Sequence, residues 1–461
     1  METTIETVWS KSKLLVKGFI IAIIVLLLQI PAAFVQDIVR ERQQRQEEAV
    51  TEVSSKWAAS QTIWGPVLVL PYWKAISDSS NKIIRAKHFA YFLPENLSID
   101  ANVSPQEKHR GIYKVILYSS SVNMSGNFSF PDLKRLNIFP NEVVWNEAVI
   151  KLPVTDNKGL NEEIKFELND TALVFAPQTS EDPSIKNALQ INPNWNSADD
   201  VKPFSFSSSF TINGSQQILF TPLGKNTTVR LQSSWAHPSF VGDALPQSTN
   251  VKDTGFSATW KSAAHRRSFP QQWQDGAFVI SNINPRVTRA DYASAPITTT
   301  AQFEGKEINA SAFGMNLFVP VNAYQKTMRS VKYAALVILL TFAAFFLIET
   351  NNKKSVHPFQ YGLIGVALVL FYTLLLSFSE YVSFNLSYAI ASLFTIGLIG
   401  WFVKSVLASA KYATILTTVL VLLYVYLFTI LQLQDYSLLI GSIGLFISLG
   451  VVMYFSRKFR W

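Results

Sequence analysis

From residue 330 onward the chain is a series of apolar runs, and their length limits what the polypeptide can become. One of them is HPFQYGLIGVALVLFYTLLLSFSEY (357–381), in which the twenty residues from Phe359 to Phe378 carry no charge. A helix over 357–380 is roughly 35 Å long at ~1.5 Å per residue. That matches the hydrocarbon core of a bilayer plus a little interface. His357 and Glu380 then face water on opposite sides, so they cannot act on each other as acid and base. The stretch predicts a membrane-crossing helix.

Five further stretches read the same way, giving predicted spans at 18–35, 331–348, 359–378, 384–403, 412–430 and 436–455. They account for a composition that is 49% hydrophobic with 33 Phe and only 16% charged, against roughly 25% charged in soluble domains. The first, GFIIAIIVLLLQIPAAFV, resembles a secretory signal. It lacks a clear small-residue cleavage site and runs straight into RERQQRQEE, so an uncleaved anchor is expected. In the last span Ser437, Gly441, Gly444 and Ser448 share one helical stripe, a face on which another helix can pack closely. Tyr333, Tyr381, Tyr412, Tyr436 and Trp461 near the span ends read as interface anchors.

Lys/Arg in short loops mark the cytoplasmic side. Lys11, Lys13 and Lys17 precede the first span, Lys353 and Lys354 follow the second, Lys404 and Lys411 lie between the fourth and fifth, and Arg457, Lys458 and Arg460 close the chain. The alternate loops carry Glu380 and Asp435 and no Lys or Arg. Both termini are therefore expected inside and 36–330 outside. Arg40, Arg42, Arg45, Arg329 and Lys332 run against this pattern, but they flank a long exported region, where the rule is weaker. The expected organisation is a cytoplasmic tail (1–17), a first span (18–35), a β-rich exported domain (36–330), a five-helix bundle (331–455) and a short cytoplasmic tail (456–461).

Within the exported part, 36–57 extends the first helix as a stalk, supported by Glu41 and Arg45 at i,i+4. Beyond it PVLVLPYW (66–73), GIYKVILYSSS (111–121), FSFSSSFTI (204–212), TTVRLQSSW (227–235) and GFSATWKS (255–262) are β-branched and aromatic. Turn-formers such as NG (213–214) and PLGKN (222–226) separate them. Phe204, Phe206 and Phe210 alternate with serines. A β-rich, sandwich-like domain of one or two lobes follows. The net charge of +8 comes without a basic–aromatic module, so nucleic acid is not an expected partner. The absence of cysteine excludes a disulfide scaffold, a thiolate zinc site and a catalytic thiol.

No HExxH, GxSxG or GxxxxGK[ST] pattern occurs. SxxK appears at Ser10/Lys13 and Ser79/Lys82 without partner motifs and reads as solvated chain. His88, His109, His237 and His265 are too dispersed to predict a metal site. No catalytic residue, metal ligand or cofactor site is expected. No ionisable residue lies near the middle of a predicted span, and such residues mark ion pathways. The remaining switch candidates are Glu349 with His357 on the inner side, and Glu380 with Asp435 on the outer side. Plain solvation of helix ends ranks above both pairings. Three functions remain in order: a non-enzymatic protein binding envelope material or other proteins, a transporter or flippase hinted at by Tyr372, Ser377 and Ser379, and an envelope hydrolase. Membrane lipid is the one partner that the spans themselves require.

Several runs resemble a known family: FGMNLFVPVNAYQKTMRSVKYAALVILLTFAAFFLIE (313–349), HPFQYGLIGVALVLFYTLLLSFSEY (357–381) and QDYSLLIGSIGLF (434–446). GPVLVLPY (65–72), LPENLSID (93–100), RGIYKVILY (110–118), WAHPSFVGDALP (235–246) and GFSATW (255–260) echo it in the exported part. The chain is similar to the CreD family of inner-membrane, cell-envelope-integrity proteins of Gram-negative bacteria. The resemblance is strong over 313–446 and looser around 160–230. It implies one N-terminal span, a large periplasmic domain, a C-terminal bundle and a role in envelope stress, colicin tolerance and β-lactam response under a two-component regulator. It carries over no catalytic residues.

Overall fold

The computed structural model describes residues 2–77, 83–169, 171–178, 182, 184–280, 306–317, 323–352, 355–433 and 437–456. The chain divides into two compact units, Met1–Glu47 with Val321–Trp461, and Glu48–Pro320.

The first unit is helical. Its elements are α1 (Glu2–Trp57, whose last turns belong to the second unit), α2 (Ala323–Lys332), α3 (Ala334–Asn352), α4 (Pro358–Ser379), α5 (Phe384–Leu407), α6 (Ala410–Gln432) and α7 (Ser437–Ser456). Among the described residues four helices are long and apolar enough to cross a membrane: Val16–Trp57 of α1, α4, α5 and α6. The pair α2 and α3, bent by 45°, makes a fifth when taken as one span. The bend corrects the expected span at 331–348, whose first residues lie in α2. The sequence explains the break. In α2 the buried positions are Tyr324, Thr327, Ser330 and Val331, spaced three or four apart, while Gln325 and Arg329 are exposed. That one-sided pattern gives way at Ala334 to an all-apolar run. The middle of the bundle is aromatic: Phe371 meets Tyr372, Tyr388 and Tyr424 at ring separations of 4.9, 5.4 and 4.7 Å.

The second unit is built on β-sheet. Its largest sheet has eight strands in the order Ser248–Lys252, Gly255–Ala263, Asn226–Ser233, Asn96–Arg110, Tyr113–Phe128, Phe204–Ser215, Lys165–Leu168 and Thr171–Val174. A six-stranded and a four-stranded sheet accompany it, and one apolar cluster draws residues from all three. The five strands read from the sequence are all present. Phe204 and Phe206 are buried between exposed or half-buried serines, and Phe128 and Phe166 stack on them at 5.0 and 5.5 Å. Trp260 of the large sheet is fully buried against Phe313 and Phe240 of the four-stranded one, at 5.5 and 5.6 Å. Offset and edge-on rings of this kind add to the burial they provide.

One expected turn is wrong. Asn213-Gly214 lies inside the strand Phe204–Ser215, with Gly214 opposite Tyr118. The Tyr118 ring fills the space a Cβ at 214 would need, so this glycine serves close packing and not a turn. Just past the strand, Gln216 takes a left-handed φ of 61° before the chain enters Gln217–Phe220 of the four-stranded sheet.

Candidate functional site

Glu349 lies near the end of α3 and is 6% exposed. Such burial is costly for a carboxylate unless every oxygen finds a donor. Here the donors come from three places. Lys17 of α1 forms an ion pair with Oε1. The amide of Val356, in the link to α4, donates to the same oxygen at 2.7 Å, and the Tyr361 hydroxyl of α4 donates to Oε2 at 2.7 Å. Lys17 also donates to the Val356 carbonyl at 2.6 Å. Phe345 and Phe342 pack on the Tyr361 ring at 4.8 and 5.5 Å and screen the cluster. A lysine 332 residues away in sequence thus fastens α1 to the α3–α4 corner.

This corrects two expectations for the inner side. Glu349 is buried, not solvated, and His357 is not its partner. His357 is exposed and caps α4, with its Nδ1 accepting the Phe359 amide at 3.2 Å while Gln360 Oε1 accepts the His357 amide at 3.0 Å. Pro358 opens the helix at the position where its missing N–H costs nothing. The imidazole is therefore occupied by the helix start. In the sequence Lys17 stands out only as a topology marker. The signal that could have found it is its depth, because Lys17 enters the first predicted span on the side where Glu349 leaves the second.

On the other side Glu380 ends α4 with a side chain 9% exposed, and Arg42 Nε of α1 lies 3.5 Å from its Oε1. Its partner is Arg42; Asp435 lies outside the described residues. The stripe in α7 is partly visible. A Cβ on Gly444 would overlap the Tyr426 hydroxyl of α6, which donates to the Ile440 carbonyl at 2.6 Å. Gly441 stands beside Tyr333. The side chains of Ser437 and Ser448 lie outside the described residues.

The β unit has its own buried acid, which sequence reading did not single out. Asp182 receives Lys151 at 2.7 Å on Oδ2, and on Oδ1 the Tyr91 hydroxyl and the amides of Ser184 and Ile185, each at 2.8 Å. The lysine and aspartate side chains are 3% and 1% exposed. Next to them His88 Nδ1 meets Asp275 Oδ2 at 2.8 Å, and Tyr72 packs on the imidazole at 5.7 Å. The Tyr72 phenol is pushed up to about 12, mainly by burial and further by the Asp275 and Glu142 charges. The nearby Ser184 hydroxyl donates to the Asp275 carbonyl at 2.5 Å and accepts the Trp273 indole N–H. It is held by backbone and indole. His109 and His265 stand exposed at other places in the unit. Among the described residues no three of His, Asp and Glu converge as metal ligands.

A helical unit with four or five candidate spans joined in sequence to a large β-rich region defines a multi-span membrane protein. Residues 13–461 match the family described as Inner membrane protein CreD, and the chain belongs to that family. It is 29% identical over 442 residues to the Inner membrane protein CreD of Escherichia coli (strain K12), covering 95% of this chain and 91% of that protein.

Proposed function

We propose that this protein supports the integrity of the cell envelope and its response to stress as a non-enzymatic binding and structural protein of the inner membrane. In this reading six helices cross the bilayer, both termini are cytoplasmic, and 36–330 folds in the periplasm as a sandwich-like domain that binds envelope components. The observation that carries it is the state of Glu349. A working intramembrane carboxylate needs a free oxygen or an exchangeable partner, whereas here a lysine, a phenol and an amide occupy it. The same holds in the β unit, where the Ser184 hydroxyl is spent on the Asp275 backbone carbonyl and the Trp273 indole. The Arg42–Glu380 contact supports the orientation, since it gives one of the outer-side arginines a local counter-charge.

The lack of native cysteine makes the orientation directly testable. A single cysteine replacing Ser125 should react with an impermeant reagent added to whole cells, and one replacing Ser355 should not. The reverse labelling would overturn the topology. For function, the full-length protein should restore detergent and β-lactam resistance to a strain lacking the gene, and should still do so with Glu380→Ala and Asp435→Ala combined.

Transport is the second reading, and one observation favours it. The hydroxyls of Tyr372 and Tyr424 are buried in the bundle with no hydrogen-bond partner among the described residues, an arrangement that suits an interior which at times admits water or a polar solute. Tyr372→Phe with Tyr424→Phe leaves resistance intact if the bundle is a scaffold and abolishes it if these groups line a path.

A further inference from the structure

Arg267 in the β unit is a buried charge with no opposite charge beside it among the described residues. It is 9% exposed. Its guanidinium donates to the carbonyls of Pro222 at 3.2 Å and of Leu223, and to Gln271 Oε1, and it lies 4.6 Å above the Phe269 ring. All of these partners are neutral. Among the described residues no carboxylate makes an ion pair with it, and burial alone lowers its pKa to about 10. Its Nε–H is buried and unpaired. Buried cations are ordinarily matched by anions, because neutral acceptors do not repay the lost hydration.

The side chain lines a cleft of about 440 Å³, within the roughly 300–1,000 Å³ typical of small-ligand sites. Phe130, 46% exposed, and Arg135 stand at the same cleft. Its own acids are engaged: Glu95 pairs with Lys225 at 2.9 Å, and Asp132 accepts the Arg135 amide at 3.3 Å. The side-chain nitrogens of Gln271 and Gln272 are spent on the carbonyls of Leu93, Pro94 and Asp132. What remains unspent is cationic, set among phenylalanine and proline walls. Few donors are left for a hydroxyl-rich sugar.

We propose that this cleft binds the C-terminal end of an apolar peptide, whose terminal carboxylate supplies the missing counter-ion of Arg267 while its last side chains lie against Phe130. The positive charge of Arg267 at the cleft wall attracts that carboxylate, and Arg135 provides a second cation at the mouth. The inference rests on the binding role proposed above, and it names the site and the ligand class.

The test uses full-length protein in detergent micelles and calorimetry with three probes: N-acetyl-Leu-Ala-Ala, its C-terminal amide, and octanoate. The acid binds, and the amide binds at least roughly tenfold more weakly, as loss of a charge-assisted contact requires. Arg267→Met abolishes binding of the acid. Arg135→Gln and Phe130→Ser, both at exposed positions, each weaken it by about three- to tenfold with the unfolding temperature unchanged, so the answer does not depend on Arg267→Met folding. Equal binding of acid and amide, octanoate binding as tightly as the peptide, unchanged binding in both surface variants, or no binding of the acid at millimolar concentration would each overturn the proposal. Wild-type protein that restores envelope resistance but binds no probe overturns the cleft and leaves the envelope role standing. Protein that binds the acid but restores nothing does the reverse.

Discussion

Asp182 in the β unit and Glu349 in the helical unit solve one problem with the same three kinds of donor. Each is a buried carboxylate answered by a lysine, a tyrosine hydroxyl and backbone amide, through Lys151, Tyr91, Ser184 and Ile185 in one case and Lys17, Tyr361 and Val356 in the other. The difference lies in what is tied together. Lys151 and Asp182 are 31 residues apart and tie a neighbouring stretch of chain to an inner strand of the six-stranded sheet. Lys17 and Glu349 are 332 residues apart and join the first helix to a corner formed near the end of the chain. A satisfied buried ion pair contributes little net stability but severely penalises any arrangement in which it is broken. The first pair therefore selects a loop conformation, and the second selects which helices assemble.

The largest effect should come from breaking the β-unit pair. Asp182→Ala leaves Lys151 buried and unpaired and should cost about 3–5 kcal/mol, read as a lower denaturant midpoint by tryptophan fluorescence. Lys151→Met with Asp182→Leu should recover most of that loss; if it does not, Asp182 has a role beyond pairing. Glu349→Ala should cost roughly 1–3 kcal/mol, because helices separated within a bilayer still find partners for Lys17 and Tyr361. A larger loss than for Asp182→Ala would remove the distinction drawn here.

Arg267 sharpens the contrast as a buried charge left unanswered. Burial on folding lowers its pKa to about 10, so below that pH it is charged in both states and the folded protein bears the full cost. Stability at this position should rise as the pH increases above about 10, where the folded protein loses the proton and the unfolded chain retains it. Affinity for the carboxylate peptide should fall over the pH range just above 10, and calorimetry at pH 9 and 11 would read it. The smallest effect expected is that of His357→Ala, which removes the α4 cap and should cost about 1 kcal/mol, read as a small fall in the unfolding temperature. A loss as large as that of Glu349→Ala would make the imidazole more than a helix cap.

The apolar run at 357–381 and the alternating Phe204–Ser–Phe206 pattern were legible because a single period, helical or extended, decides them. The α2–α3 bend was not, because 331–348 passes a hydropathy window while its first residues belong to an amphipathic turn. Asn213-Gly214 misled for a related reason: the dipeptide favours a turn locally, but its glycine answers to Tyr118 across the sheet. The candidate sites were legible as residues and not as pairs. Glu349 and Glu380 stood out as carboxylates at span ends, yet their partners Lys17 and Arg42 come from α1, and only three-dimensional packing brings them there. Asp182 and Arg267 carry no motif at all; their significance is burial, which short-range sequence does not encode.

The most direct test of the claim that Glu349 is a structural pin replaces the whole pair with apolar groups. Lys17→Met combined with Glu349→Met, expressed from its own promoter in a strain lacking the gene, should restore detergent resistance to the wild-type level. Failure of this variant while it accumulates normally in the membrane would contradict the account, because it would show that the charge on Glu349 does work that packing cannot replace.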